Sequence, residues 1–270
     1  MSIRPRGQRV TRALAFSLVI ATAQMAAAAP GAWKQVGPTG GWKNTTAATG
    51  LGGKLYTTEG SGALYVTNVD AGTWKKLGKS DFAATRFLCA IGQSLYSVET
   101  SGSLYRINPR DGTWVQVGPS GAWKKTIAAT AHQGKLYTVE SSGVLYVTDV
   151  NKGTWRALGK TEFANTTFMT AIGNRLVTIE KSGSLYSVNP ANGAWKTVGK
   201  AAWIGTIAAI GFDGALYSTE RNGALYRTNG AGKWVQLGKP EFKKTAFMVN
   251  VGHRLFTIER DGSLYAVQTK

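Results

Sequence analysis

Six carboxylates stand at one recurring place in this chain. Glu59, Glu99, Glu140, Glu180, Glu220 and Glu259 each end a short apolar segment such as Leu136-Tyr137-Thr138-Val139-Glu140. Two roles fit such residues. As a ligand-contacting ring or as general acids and bases they need environments that drive their pKa values apart. As framework they accept N–H bonds from the adjacent turn or pair with a neighbouring Lys or Arg. A reaction centre is normally one asymmetric constellation, whereas a residue repeated in every unit points to framework. No residue is therefore assigned a catalytic role, and the expected protein performs no reaction.

The loops preceding these segments carry the better binding candidates: Trp42 with Lys43, Trp123 with Lys124, and Trp203. An indole presents flat apolar faces and one donor N–H, which suits the C–H faces and hydroxyl rims of sugars. The lysines add charged hydrogen bonds to a carboxylate, sulfate or phosphate on a glycan. Against this stands a packing role, because Phe82, Phe163 and Phe242 fill the same loop position in the other units. Both readings are open at this stage.

Other chemistries find little support. His132 and His253 lie at corresponding turns without a Cys or acidic cluster at ligand spacing, so no metal is expected. No nucleophile elbow, phosphate loop or dinucleotide fingerprint occurs in a suitable context, and no cofactor is expected. Aromatics interleaved with basic residues suit nucleobase stacking, but an exported protein does not meet nucleic acid.

The elements that position these residues follow from self-comparison. Trp33, Trp74, Trp114, Trp155, Trp195 and Trp234 recur at spacings of 41, 40, 41, 40 and 39. Leu-Tyr pairs at 64–65, 104–105, 145–146, 185–186, 225–226 and 264–265 keep the same beat. Within a unit the period is two, with β-branched and aromatic residues bounded by Gly, Asn and Asp, which reads as strands. The third unit predicts strand A at 126–131, B at 135–140, C at 144–150 and D at 154–158, with a two-residue B–C turn needing positive φ. Four antiparallel strands at a period near 40 predict an all-β, six-bladed β-propeller.

Residues 32–37 match strand D, and residues 262–267 match strand C. The N-terminal strand is thus expected to complete the last blade and close the ring. A second symmetry lies inside the first. Trp loops alternate with Asp81-Phe82, Glu162-Phe163 and Glu241-Phe242, and strand A alternates small residues (Ala47-Ala48, Ala128-Ala129, Ala208-Ala209) with Phe87, Phe168 and Phe247. The ring should be three double blades.

Residues 1–28 read as a secretory signal peptide: Arg4, Arg6, Arg9 and Arg12, then the apolar run 13–23, then Ala26 and Ala28. That run is well short of the roughly 20 residues needed to span a bilayer. Residues 29–270 form the single expected propeller domain, secreted or periplasmic. Removing four Arg and no acid lowers the net charge from +18 to +14, which favours polyanionic partners such as acidic cell-surface polysaccharide. Cys89 is alone and forms no internal disulfide, so packing must hold the fold.

The run Trp33-x-x-Val36-Gly37-x-x-Gly40-Gly41-Trp42, followed by Gly53-x-Leu55-Tyr56 and Gly62-x-Leu64-Tyr65, resembles the blade motif of tachylectin-2-type and tectonin-type β-propeller lectins. It recurs at 114–123 and, with Ala201-Ala202 replacing the paired Gly, at 195–203. The resemblance implies a sugar-binding protein with equivalent pockets near Trp42, Trp123 and Trp203. The Phe-type units depart from it, and Ile204 replaces the Lys of the other two loops. Two further readings accompany this one: a protein-interaction scaffold of the cell envelope, and a polysaccharide lyase or hydrolase resting only on the six Glu and the basic charge.

Overall fold

Short β-branched and aromatic segments cut by Gly turns build a ring of six sheets, because each segment is too short to bury itself and stacks against neighbours on both faces. The computed structural model describes residues 29–270, and the leader expected at 1–28 lies outside the described residues. Blade I comprises β2 (Thr45–Leu51), β3 (Lys54–Glu59), β4 (Leu64–Asn68) and β5 (Thr73–Leu77). Blade II follows with β6 (Thr85–Ile91), β7 (Ser94–Glu99), β8 (Leu104–Ile107) and β9 (Trp114–Val117). Blade III holds β10 (Thr126–His132), β11 (Lys135–Glu140), β12 (Leu145–Asp149) and β13 (Thr154–Leu158). Blade IV has β14 (Thr166–Ile172), β15 (Arg175–Glu180), β16 (Leu185–Val188) and β17 (Trp195–Gly199). Blade V has β18 (Thr206–Phe212), β19 (Ala215–Glu220), β20 (Leu225–Thr228) and β21 (Trp234–Leu237). Blade VI combines β22 (Thr245–Val251), β23 (Arg254–Glu259) and β24 (Leu264–Val267) with β1 (Trp33–Val36).

The closure is as expected: β1 lies antiparallel to β24, with Trp33 opposite Val267 and Val36 opposite Leu264. The first strand of every blade faces a central channel, where Phe87, Phe168 and Phe247 alternate with Ala48, Ala129 and Ala209. Each of these inner strands carries a bulge after its opening Thr, between Thr85 and Phe87 for example. No sequence signal marked it. The bulge adds twist and re-aims the side chains at the channel mouth.

The turns between second and third strands differ from expectation. In blade I the Gly62 N–H donates to Glu59 O at 2.8 Å and the Glu59 N–H donates to Ala63 O at 3.0 Å. This is a three-residue loop ending on a left-handed glycine, not a two-residue turn. The glycine is required twice over. Gly62 has φ of 86°, and a Cβ there would lie 2.5 Å from Ser80 O. The close approach exists because Gly62 O accepts the Phe82 N–H at 2.9 Å. Equivalent bonds run from Trp123 to Gly102, Phe163 to Gly143, Trp203 to Gly183, Phe242 to Gly223 and Trp42 to Gly262. One bond per junction thus laces the rim around the whole ring, including the closing blade.

Candidate functional site

The loop aromatics follow their backbone into the blade junctions. Trp42 packs among Val249, Phe256 and Leu264 of blade VI and Leu55 of blade I. Trp123 fills the junction of blades II and III, and Trp203 that of blades IV and V. Their exposures are 3 %, 3 % and 4 %, so none offers a free face for stacking. Phe82, Phe163 and Phe242 fill the alternate junctions. The wedge reading describes all six, and the expectation that the loop indoles themselves receive a sugar ring gives way to it. Lys43 and Lys124 remain exposed beside Gly262 and Gly102 of the preceding blades.

The accessible indoles are those that open the outermost strands, and they fall into two sets. In the Phe-type blades the loop acid holds the ring. Trp114 Nε1 donates to Asp81 at 2.9 Å, Trp195 to Glu162 at 2.6 Å, and Trp33 to Glu241 at 2.8 Å. A carboxylate on an indole N–H is a charge-assisted bond that fixes the ring. In blades I, III and V the loop has no such acid, and among the described residues the N–H of Trp74, Trp155 and Trp234 has no partner, at 41 %, 41 % and 55 % exposure. The sequence carried this signal unnoticed: 33 residues before Trp114 and Trp195 stands an acid, and 33 before Trp74, Trp155 and Trp234 stand Gly41, Ala122 and Ala201.

Blades I and III settle their free ring against the loop Trp. Trp74 meets Trp42, and Trp155 meets Trp123, each with centroids 5.2 Å apart. Blade V differs. Trp234 stands edge-on to Tyr226 at 5.0 Å and 80°, and a cavity of about 340 Å³ opens beside Trp203, lined also by Ile204, Glu220, Arg221 and Asn222. The loop whose Ile204 makes it the weakest match to the lectin motif lines this cavity.

The six glutamates divide along the same lines. Glu99, Glu180 and Glu259 are buried and accept hydroxyl bonds from Thr85, Thr166 and Thr245 at 2.8 to 2.9 Å. Glu220 accepts from Thr206 at 2.7 Å. The framework role therefore runs through the opening Thr of the inner strand, not through turn N–H groups. Loss of solvation pushes all four carboxyls above the ordinary carboxylate range, partly offset by these bonds. Glu59 and Glu140 are half-buried and leave the buried Thr45 and Thr126 hydroxyls without a partner among the described residues.

Glu220 is the one glutamate lining the blade V cavity. Gly205 gives it room, since a Cβ there would lie 2.6 Å from Glu220 Oε2. The site thus joins three aromatic side chains, a carboxylate, an amide and a guanidinium around one space. Elsewhere, Cys89 is buried in the channel wall and burial pushes its thiol up to about 12, which leaves it an inert neutral group. His132 ends β10, buried, while His253 lies in the turn between β22 and β23, so the two do not share a position. Among the described residues no helix is long and apolar enough to cross a membrane.

No protein-family model matches the chain, and no curated protein matches it. Solved structures do. One is YCF48 bound to D1 peptide, with a TM-score of 0.56 and 16 % identity over 84 % of this chain and 78 % of that one. Another is PorZ, a surface component of the type-IX secretion system of Porphyromonas gingivalis, with a TM-score of 0.55 and 13 % identity over 88 % of this chain. The match covers 39 % of PorZ, a much longer protein. The computationally designed protein Ika8 gives a TM-score of 0.50 and 13 % identity over 83 % of this chain and 70 % of that one. At such identities the likeness is one of fold, and the chain is a six-bladed β-propeller of four-stranded antiparallel blades.

Proposed function

We propose that this protein is a secreted or periplasmic lectin that binds surface glycans multivalently, without catalysis, through the free outer-strand indoles of blades I, III and V. The observation that carries the reading is the blade V cavity, where Trp234 and Tyr226 offer apolar ring surface beside the polar groups of Glu220, Arg221 and Asn222. A pyranose needs both at once, with C–H faces against aromatic carbon and hydroxyls on acceptors and donors. The resemblance to tachylectin-2-type and tectonin-type repeats supports the same class of ligand. Blades I and III repeat the free indole, and sites on one rigid ring gain avidity for a polymeric surface. A glycan array probed with wild type and with a Trp74→Ala, Trp155→Ala, Trp234→Ala variant tests this. The expected result is loss of all glycan signals in a variant that keeps its circular dichroism. Undiminished signals contradict it.

A second reading, docking of an envelope protein, draws on the neighbours: PorZ is described as a secretion-system surface component and YCF48 as bound to a peptide. Capture of one envelope protein that free sugars do not displace would favour it over the lectin reading.

A further inference from the structure

Away from the loop rim, the wall of the ring is strongly and regularly positive. Of 14 acids, the six strand-ending Glu and Asp81, Glu162, Glu241 and Asp261 lie at the rim. Only Asp70, Asp111, Asp149 and Asp213 remain on the wall and opposite face, against fifteen Lys and Arg. Those four are engaged. Asp70 pairs with Arg254 at 2.7 Å and Asp213 with Lys270 at 2.6 Å. Asp111 accepts from Thr113 and Asp149 from the backbone of Asn151 and Lys152.

Six of the cations share one place, one per blade. In four blades it is supplied by the outermost strand: Lys34, Lys75, Arg156 and Lys196, opposite Ala266, Val66, Val147 and Ser187. In blades II and V the outer strand has Val115 and Val235 instead, and the residue directly opposite becomes Arg106 and Arg227. Directly opposed side chains on one face start about 5 Å apart, so either backbone position delivers its charge to the same spot. All six cations are exposed. Arg156 shows where the spot lies, since its Nη2 reaches Ala191 O of the next blade at 3.1 Å, at the outer edge of a junction.

We propose that this belt is a binding surface for a linear anionic polysaccharide that follows the outer wall across successive blades. Charge alone suits any polyanion, but the wall also places an indole next to the cation in Trp74-Lys75 and Trp155-Arg156 and, with a carboxylate on the indole N–H, in Trp33-Lys34 and Trp195-Lys196. Adjacent strand residues face opposite ways, so each of these edges presents an apolar ring on one side and a charge on the other. A sugar acid uses both, whereas polyphosphate has no apolar face. A planar lipid surface cannot touch the full circumference of a ring. The inference shares with the proposed function the class of ligand and the indoles Trp74 and Trp155, while its six cations lie apart from the blade V cavity.

The test compares wild type with a variant carrying Gln at Lys34, Lys75, Arg106, Arg156, Lys196 and Arg227, and with a control losing six rim cations, Lys43, Lys79, Lys124, Lys160, Lys200 and Lys239. Polygalacturonate, polyphosphate matched in charge and phosphatidylglycerol vesicles serve as probes. The belt variant, with an unchanged melting temperature, should lose at least about tenfold in affinity for polygalacturonate and most of its salt dependence, while the control loses much less. Equal losses in belt and control variants, polyphosphate binding as tight as polygalacturonate, or binding to vesicles alone would overturn the proposal. Neutral-glycan binding should survive in the belt variant and fail in Trp234→Ala, which keeps the two surfaces distinguishable.

Discussion

Glu180 shows how burial at one residue sets a property of the whole fold. Its carboxyl is desolvated and its pKa raised, with Thr178 and Thr166 opposing the shift. A raised folded pKa means that the native state keeps its proton to higher pH than the unfolded chain, for which the ordinary value is 4.5. Stability is therefore constant below that pH, falls as pH rises through the window between 4.5 and the raised folded values, and is level above. Glu99 and Glu259 behave alike. A Glu99→Gln, Glu180→Gln, Glu259→Gln variant keeps the hydroxyl acceptors and removes the titration. Its urea midpoint should change less than that of wild type between roughly pH 4 and pH 7; an unchanged slope would contradict the assignment. Gly205 offers a second test at this scale. Gly205→Asn places a Cβ 2.6 Å from Glu220 Oε2, so the carboxylate must shift within the cavity, and glycan affinity at blade V should drop about tenfold in a titration, or about 1.4 kcal/mol.

At the scale of the element, the ring depends on junctions that are laced rather than merely packed. Gly62→Ala would oppose both a φ of 86° and the contact with Ser80 O. It should cost about 1 to 3 kcal/mol in chemical denaturation. Leu264→Ala, fully buried where β24 meets β1, should cost about 2 to 5 kcal/mol. These elements were legible in the sequence to within a residue or two. The third unit was expected at 126–131, 135–140, 144–150 and 154–158 and is found at Thr126–His132, Lys135–Glu140, Leu145–Asp149 and Thr154–Leu158. The period of the Trp and Leu-Tyr positions also revealed the closing strand. What the repeat could not convey was which side of a strand each ring takes. Trp42 and Trp74 are both Trp, yet one is drawn into the junction by its N–H bond to Gly262 while the other stays outside. The bulge at the head of each inner strand escaped because the residue inside it, Thr46, Arg86, Ile127, Thr167, Ile207 or Ala246, has no common type. The acid that separates held from free indoles was visible only as a spacing of 33, beyond the reach of local pattern reading.

At the scale of the molecule, sixfold architecture and threefold chemistry are superposed. Packing treats all six junctions alike, with an aromatic wedge and one backbone bond each. The outer wall does not, because acids hold three of its indoles and leave the other three free. Blade V departs further, exchanging Lys for Ile204 and opening a cavity, whereas blades I and III set one indole against another at a tilt of 57° to 58°. Binding to a monovalent sugar should therefore be dominated by one site, while a polymeric glycan should engage several and dissociate more slowly. The most direct measurement is a calorimetric titration of a monovalent glycan, chosen from array hits, into wild type, Trp234→Ala and Trp114→Ala. Trp234→Ala should lose at least about tenfold in affinity, and Trp114→Ala, whose ring is held by Asp81, should bind as wild type does. Wild-type affinity in folded Trp234→Ala, or an equal loss in both variants, would contradict the account.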